Sequence, residues 1–402
     1  MVSATTGRAF EPRDLFAFSV GPVVVRPSLQ LMGQYDDNIF FLPQPRVDDF
    51  LFLLRPGVDF RIGSLDTQHR LTVGYDLTSR FYAENTSQDS TDHLFSFDAS
   101  LNWTRVRVGA NAGFQYLTGI LGGYEATQDG IFLPVGKVDR LYVPISATVS
   151  YALSEKTEPY VRGDIRLTDY DTGGAVFRYY DLFQWRAFAG TTYKITPKTR
   201  LLAEGFYGQW LTDPNSVLQP EVGDADSAGG SIGVTGQVFS RLTGTAKVGV
   251  QTVWDEIGET DLTEPTGEIS FSAPITEKIS ANLGYRHDIS VSPQGTTAGG
   301  DPSRRMVLVY IQDSLTAGVT GRFGAAHPLT IGISGSYILN GYATGGVIRD
   351  GEFYRVGLNT SYQIKLWMNV GASYEYGSSS YSGSGASDYD YNRVSVFATF
   401  GF

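Results

Sequence analysis

The chain of 402 residues carries no cysteine and a formal net charge of −11, which excludes disulfides and thiolate metal sites and disfavours nucleic-acid binding. It is rich in glycine (47), tyrosine (24) and phenylalanine (24), yet its mean hydropathy is only −0.13. This composition is typical of a barrel whose residues alternate between lipid and water. No stretch approaches the roughly 20 apolar residues of a membrane-spanning helix, so insertion into a membrane would use strands.

Residues 1–21 carry charged side chains, among them Arg8, Glu11 and Asp14, and they lack the apolar core of a secretory signal. We expect these residues to form a short periplasmic N-terminal tail of the mature protein or, alternatively, a small insert in the lumen. The rest of the chain, residues 22–402, shows no sign of a second module and is predicted to form one outer-membrane β-barrel.

Apolar and polar residues alternate with period two along most of residues 22–402, which is the pattern of β-strands with one apolar face. In the segment 70–81, for example, Leu71, Val73 and Tyr75 alternate with polar residues or glycine. In a membrane barrel the apolar face contacts lipid and the polar face lines the interior.

The links between these strands alternate in length. Eight short turns alternate with nine longer segments, which indicates about 18 strands, with 16 as the alternative. The longer segments are 36–50, 83–93, 118–138, 169–182, 211–228, 254–264, 290–304, 339–353 and 377–391. The predicted fold is therefore an all-β, transmembrane, antiparallel up-and-down barrel. Its termini are expected in the periplasm and its long loops outside the cell.

Charge is distributed unevenly between loops and strands. The nine long segments hold 26 of the 42 acidic residues but only 5 of the 31 basic residues. A barrel of 16 to 18 strands is wide enough for an aqueous passage, so we expect a wet, arginine-rich lumen. The candidate solute-binding residues are the inward arginines Arg70, Arg80, Arg105, Arg107, Arg140, Arg162, Arg166, Arg186, Arg200, Arg286, Arg355 and Arg393.

Two interpretations of these arginines remain open. They form a cationic ladder that attracts anionic solutes or uronic-acid polymers, because fixed charge in a narrow aqueous passage focuses the field. Alternatively, they pair with acidic residues across the lumen and stiffen the wall. The candidate partners in that case are Asp76, Asp98, Asp164, Glu204, Glu268, Asp288 and Glu375.

Inward aromatic residues also have two interpretations: they stack on sugar rings, or they pack against a segment folded into the barrel. These residues are Tyr142, Tyr160, Phe188, Trp210, Phe239, Tyr310 and Phe397. Packing is the favoured interpretation. The long and partly apolar segment 118–138 is the best candidate for inward folding.

Two parts of the sequence resemble known outer-membrane proteins. The last strand ends on the alternate aromatics Phe400 and Phe402, which resembles the C-terminal assembly signal of such barrels and implies the barrel assembly machinery as a partner. The opening is similar to that of the β-barrel porin 2 family, in the residues Tyr35-Asp36-Asp37-Asn38-Ile39-Phe40, Asp48-Asp49-Phe50, Arg55-Pro56-Gly57-Val58, Gly74-Tyr75-Asp76 and Phe81-Tyr82. This resemblance implies an association with exopolysaccharide export loci and supplies no catalytic residues.

The leading hypothesis is thus an outer-membrane channel without a cofactor, in its more specific form a conduit for exopolysaccharide export with polysaccharide and periplasmic export proteins as partners. The alternatives are a general diffusion porin for small anionic solutes and a non-conducting surface scaffold or adhesin. A conduit should be wide, a porin narrowed by an inward loop, and a scaffold plugged. Outer-membrane lipid and lipopolysaccharide are the expected surroundings, with no nucleic acid.

Neither catalysis nor a metal site is expected. The four histidines, His69, His93, His287 and His327, resemble no catalytic triad in the predicted strand map. The acidic run 255–261 has the oxygen ligands that calcium prefers, but its spacing fits no EF-hand, so a solvated surface is the favoured interpretation.

Overall fold

The computed structural model describes residues 17–63, 68–122, 136–171, 179–214, 223–238, 241–255, 261–298, 301–325, 327–342, 348–383 and 388–401. Within these ranges, no helix is long and apolar enough to span a membrane, and a 3₁₀ turn covers Thr86–Gln88. The strands are β1 (Phe18–Val20), β2 (Val23–Asp36), β3 (Asp49–Ile62), β4 (His69–Tyr82), β5 (Ser90–Asn102), β6 (Val106–Leu117), β7 (Ile120–Leu121), β8 (Gly136–Lys137), β9 (Asp139–Tyr151), β10 (Thr157–Asp171), β11 (Tyr180–Lys194), β12 (Thr199–Pro214), β13 (Ala225–Gln237), β14 (Thr243–Asp255), β15 (Asp261–Pro274), β16 (Ile279–Ala298), β17 (Asp301–Phe323), β18 (Leu329–Tyr342), β19 (Ile348–Lys365), β20 (Met368–Gly383) and β21 (Tyr389–Phe400).

Strand pairing forms a closed ring. The main sheet of the described chain has 19 strands; β1 pairs only with β2 and lies outside the ring, which leaves 18, namely β2 to β6 and β9 to β21. Successive strands of the ring pair antiparallel, and β21 closes it by pairing with β2 from Leu29↔Phe400 to Asp36↔Arg393. The predicted all-β antiparallel barrel is confirmed, with 18 strands rather than 16.

The described part of the predicted tail, residues 17–21, forms β1 and a tight turn into β2. Gly21 has a φ of +60° in this turn, a conformation that glycine adopts without steric cost. Both described ends of the chain therefore lie at the end of the barrel that carries the short turns. We call this the short-turn end and the opposite end the long-loop end.

Three short turns share one hydrogen-bond motif. The hydroxyls of Ser154, Thr196 and Thr276 each accept bonds from the backbone N–H groups two and three residues later, at 3.0 to 3.2 Å. Serine and threonine favour such turns because the side chain replaces a backbone acceptor. The length of each hairpin is thus set locally by sequence.

The period-two alternation gives the barrel an apolar outer face and a polar inner face. Val161, Ile232 and Val248 are exposed on the outside, whereas Arg162 and Lys247, one position away, face the interior. Large apolar side chains are exposed in this way on strands all around the ring. A continuous exposed apolar belt is the surface of a protein that is solvated by lipid.

Replacing Val248 with arginine should test the assignment of the outer face. Val248 is 65% exposed near the middle of β14, and a charged side chain at the bilayer midplane costs about 2–4 kcal/mol. We expect V248R to lower the free energy of unfolding in phospholipid vesicles by that amount. The control Asn111→Arg, on the lumen face of β6, should change it by less than about 0.5 kcal/mol. Equal losses in the two variants would contradict the assignment.

Candidate functional site: the arginine-lined lumen

The barrel encloses a central cavity of about 870 Å³. Among the described residues, its wall carries eight arginines and five carboxylates, which is an excess of positive charge. The arginines are Arg55, Arg80, Arg140, Arg166, Arg186, Arg286, Arg355 and Arg393; the carboxylates are those of Asp36, Asp76, Asp92, Asp288 and Glu375. These residues come from β2 to β5, β9 to β11, β16 and β19 to β21, because each of these strands places alternate side chains toward the interior.

On one side of the cavity, Arg80, Arg355 and Arg393 are paired with carboxylates, whereas Arg55 donates to the side-chain oxygen of Gln30 at 3.2 Å. Arg80 pairs with Asp92, and Arg393 pairs with Asp36 at 2.5 Å. Glu375 lies 3.6 Å from Arg355 and 3.8 Å from Arg393. These ion pairs join β4 to β5 and β19, β20, β21 and β2 to one another. On this side of the cavity, the contacts agree with the interpretation that the arginines pair with acidic residues and stiffen the wall.

On the opposite side, β10, β11 and β16 carry an excess of positive charge. Neither Arg166 nor Arg186 has an ion pair in the described part of the chain, whereas Arg286 pairs with Asp288. Arg186 interacts electrostatically with Asp288 and Asp164, which attract it, and with Arg286 and Arg166, which repel it. We call Arg166, Arg186 and Arg286 the cationic patch. The three guanidinium groups line the cavity. Among the described residues, Asp288 is the carboxylate that forms an ion pair with one of them, Arg286.

The patch is held partly by aromatic side chains. The guanidinium carbon of Arg166 lies 5.7 Å from the ring centroid of Tyr142, and that of Arg186 lies 5.8 Å from the ring of Phe188. Cation–π contacts orient a guanidinium without neutralising its charge. In the described part of the chain, the predicted inward residues Tyr142 and Phe188 therefore contact arginines.

A second cavity of about 330 Å³ adjoins the patch. Glu204, whose side chain is 6% exposed, accepts hydrogen bonds there from Tyr160 at 2.7 Å, Ser231 at 3.3 Å and Lys247 at 3.4 Å. Arg162 lies 3.7 Å from the same carboxylate and 3.8 Å above the ring of Phe188. This network links β10, β12, β13 and β14 through the carboxylate of Glu204, while the Nε of Arg162 is buried without a hydrogen-bond acceptor in the described chain.

The remaining predicted arginines lie toward the short-turn end. Arg70 pairs with Asp98 at 2.9 Å, and Arg107 and Arg200 both approach Glu158, at 3.1 and 3.4 Å. Arg105 does not belong to the lumen, and the prediction for this residue was wrong. It lies in the turn before β6 and donates to the hydroxyl of Tyr151 at 3.5 Å, which is exposed on the outer face.

Arg55 was missing from the predicted set although it lines the cavity. It follows the run 50–54, in which every residue is apolar, so the alternation is hidden. The structure explains the run: Leu51 and Leu53 face inward and pack against Ile39 from the segment between β2 and β3. At Leu51 and Leu53, the wall therefore contacts the segment between β2 and β3 and needs apolar side chains in place of polar ones.

That first long segment enters the barrel mouth. Asn38 anchors it, because its amide donates to the backbone oxygens of Leu42 at 2.7 Å and Asp390 at 2.9 Å, and accepts from the N–H of Leu42. Phe41 follows with a φ of +54°, which is unusual for a bulky residue and is imposed by these bonds. Its ring is buried and lies edge-on to Tyr391 at 5.4 Å.

The described ends of segment 118–138 also lie inside the mouth. Leu121 and Val138 are buried against Tyr170 and Tyr179, and both line the central cavity's wall. At Gly122 an added Cβ would lie 2.2 Å from the ring of Phe41, so the two inward segments touch. Residues 123–135 lie outside the described residues. The inward folding predicted for this segment holds at both of its described ends.

Other predicted residues have structural roles or fall outside the description. Trp210 and Tyr310 are buried by packing at the long-loop end, which fits the favoured interpretation. Phe400 of the predicted assembly signal stacks on Trp367 at 6.4 Å. Phe239, Phe402 and most of the acidic run 255–261 lie outside the described residues, and no cluster of metal-ligating side chains is found among those described.

No protein-family model and no curated protein sequence matches the chain, so the resemblance to the β-barrel porin 2 family stays a prediction. Similar solved structures include OpdO of Pseudomonas aeruginosa, with 14% identity and a TM-score of 0.47 over 94% of this chain and 97% of that one. OccK2 (OpdF) of Pseudomonas aeruginosa in complex with glucuronate has 12% identity and a TM-score of 0.44 over 94% and 98%. A bacterial polysaccharide outer membrane secretin has 7% identity and a TM-score of 0.37 over 94% and 98%. At TM-scores below 0.5, these similarities carry no argument about this chain's solute.

Replacing Glu204 with glutamine should destabilise the barrel, because two cations in the second cavity lose their shared carboxylate. We expect the free energy of unfolding to fall by roughly 1.5–3 kcal/mol, the contribution of hydrogen bonds to a charged group. The control Asp98→Asn removes an exposed pair and should cost at most about 1 kcal/mol. Denaturant unfolding monitored by tryptophan fluorescence would measure both. A Glu204 variant as stable as the control would contradict a structural role for the network.

Proposed function

We propose that this chain is an outer-membrane channel through which small anionic solutes diffuse passively. The observation that carries the proposal is the central cavity, whose described lining has eight arginines against five carboxylates and in which Arg166 and Arg186 have no ion pair among the described residues. Fixed positive charge in a passage with low-dielectric walls raises the local concentration of anions.

A membrane location is supported by the outer surface. At the long-loop end of the apolar belt, outward tyrosines donate to polar partners above them: Tyr207 to Asp226 at 2.8 Å and Tyr374 to Asn392 at 2.7 Å. Tyrosines with one apolar side and one hydrogen-bonding end are enriched at membrane–water interfaces. We place the long loops outside the cell and both termini in the periplasm, as is general for bacterial barrels.

The size of the proposed solute follows from the inward segments. A polysaccharide conduit requires an unobstructed lumen, but Ile39, Phe41, Leu121 and Val138 occupy its mouth. The remaining cavity of about 870 Å³ has the volume of a pocket for a small molecule. This observation favours the diffusion porin over the export conduit. A charged cavity of this volume also differs from the plugged interior that a non-conducting scaffold would have.

The cationic patch should set the charge preference. In a planar bilayer with a potassium chloride gradient, we expect the reversal potential of the refolded wild-type barrel to lie between zero and the equilibrium potential of chloride. The double variant Arg166→Gln with Arg186→Gln should reduce the chloride-to-potassium permeability ratio several-fold, because the uncompensated charge is gone.

The matched control is Arg70→Gln, which removes a paired lumen arginine near the short-turn end and should leave the ratio close to that of wild type. A cation-selective or charge-indifferent wild-type channel would overturn the proposal. If the permeability ratio of the double variant were unchanged, the cationic patch would not be the cause of the anion preference.

A further inference from the structure

The outer surface of the barrel differs in charge between its two ends. At the long-loop end, outward tyrosines donate to carboxylates at 2.6 to 3.4 Å. The pairs are Tyr35 with Asp48, Tyr116 with Asp139, Tyr207 with Asp226 and Tyr285 with Asp313. At the short-turn end, the outward Tyr151 instead accepts a hydrogen bond from the cation Arg105. The two edges of the apolar belt therefore present side chains of opposite charge.

Five successive short turns, from β5–β6 to β15–β16, each carry one cation. These cations, which we call the basic collar, are Arg105, Lys156, Lys198, Arg241 and Lys278. All five residues are exposed, and none forms an ion pair with a described residue. The carboxylates in the described parts of the same turns are those of Glu155 and Glu277, so positive charge is in excess.

Three of these turns place an exposed apolar residue three positions before the lysine. These residues are Leu153, Ile195 and Ile275, which are between 54% and 63% exposed. A serine or threonine follows each of them, and its hydroxyl accepts a hydrogen bond from the backbone N–H of the lysine at 3.2 Å. Because this bond fixes the backbone of the turn, the apolar side chain and the cation keep a constant spacing.

This spacing places the cations at the surface of the membrane. The exposed apolar side chains continue the belt that contacts lipid, and Trp103, which is 51% exposed, lies two residues before Arg105. Tryptophan is enriched at the membrane–water interface. A basic side chain just beyond that level extends its charge into the headgroup layer while its methylene groups stay near the apolar residues.

We infer that the basic collar binds anionic phospholipid headgroups in the leaflet at the short-turn end. The charges are complementary, and a cation beside an anionic lipid surface strengthens binding by about fivefold. The effect is confined to about 10 Å, so the carboxylates at the long-loop end do not oppose it. The inference rests on the membrane location of the barrel and not on conduction. In the proposed orientation, this leaflet is the periplasmic one.

Electron paramagnetic resonance of spin-labelled lipids measures this preference. The refolded barrel is placed in phosphatidylcholine bilayers with a trace of spin-labelled phosphatidylglycerol or spin-labelled phosphatidylcholine. The fraction of each probe whose motion is restricted by the protein gives the relative association of the two lipids with the barrel. The test variant combines Lys156→Gln, Lys198→Gln and Lys278→Gln, all at exposed turn positions.

The matched control combines Arg26→Gln, Arg61→Gln and Arg70→Gln. It removes the same charge near the same end, but from lumen-facing positions of β2, β3 and β4. A second control replaces the three lysines of the test variant with arginine and so retains the charge. Heat-modifiability gels check that each variant is folded.

We expect the wild-type barrel to select phosphatidylglycerol over phosphatidylcholine several-fold at low ionic strength and to lose this selectivity in high salt. The glutamine variant of the collar should bring the ratio close to one, whereas both controls should keep the ratio of wild type. A wild-type barrel without preference would overturn the proposal, as would an unchanged ratio in the glutamine variant. Equal losses in the glutamine variant and the lumen control would also overturn it, because net charge and not position would then set the selectivity.

The outcome is separate from that of the channel experiment. A conducting barrel without lipid selectivity would remove the collar proposal and leave the channel function standing. A selective barrel that does not conduct would support the collar while the channel function fails.

Discussion

Closure of the hydrogen-bonded ring is the constraint on which the rest of this structure depends. A backbone N–H or C=O group without a partner is costly in hydrocarbon, so the strands must pair on both edges. The pairing of β21 with β2 completes the ring from Leu29↔Phe400 to Asp36↔Arg393. Once the ring is closed, side chains alternate between lipid and lumen. The charged residues of the cavity wall are inward members of that alternation.

The seam between the first and last strands also positions the obstruction in the mouth. Asn392 donates to Asp37 at 2.8 Å, and Asn38 donates to the backbone oxygen of Asp390 at 2.9 Å. These bonds hold the segment that carries Phe41, whose ring lies 5.2 Å from the guanidinium of Arg393. Near this seam Asp36 and Glu375 pair with Arg393, whereas Arg166 and Arg186 across the lumen have no ion pair among the described residues. The result is a stable wall on one side and a cationic surface facing the solute on the other.

Much of this architecture could be predicted from the sequence, because period-two alternation and loop length are local signals. They gave the strand number and seven of the eight cavity arginines. Arg105 was misplaced because the alternation was extended into a turn, and Arg55 was missed because Leu51 and Leu53 pack against an inward segment. The burial of Ile289 and Val291 against Trp210 and Val253 could not be predicted, since Ile289 and Val291 alternate as lipid-facing residues do. Whether a long segment folds inward depends on contacts between distant residues, such as Phe41 with Gly122, which no local pattern records.

The most direct test of a cationic passage for small solutes is a swelling assay on liposomes that contain the refolded barrel. Glucose and glucuronate have the same ring and similar size but differ by one carboxylate. With valinomycin present to carry the counterion, the account predicts that proteoliposomes swell faster in isosmotic potassium glucuronate than in glucose, and faster than protein-free vesicles in either. Equal rates for the two sugars, or no swelling above that of protein-free vesicles, would contradict it.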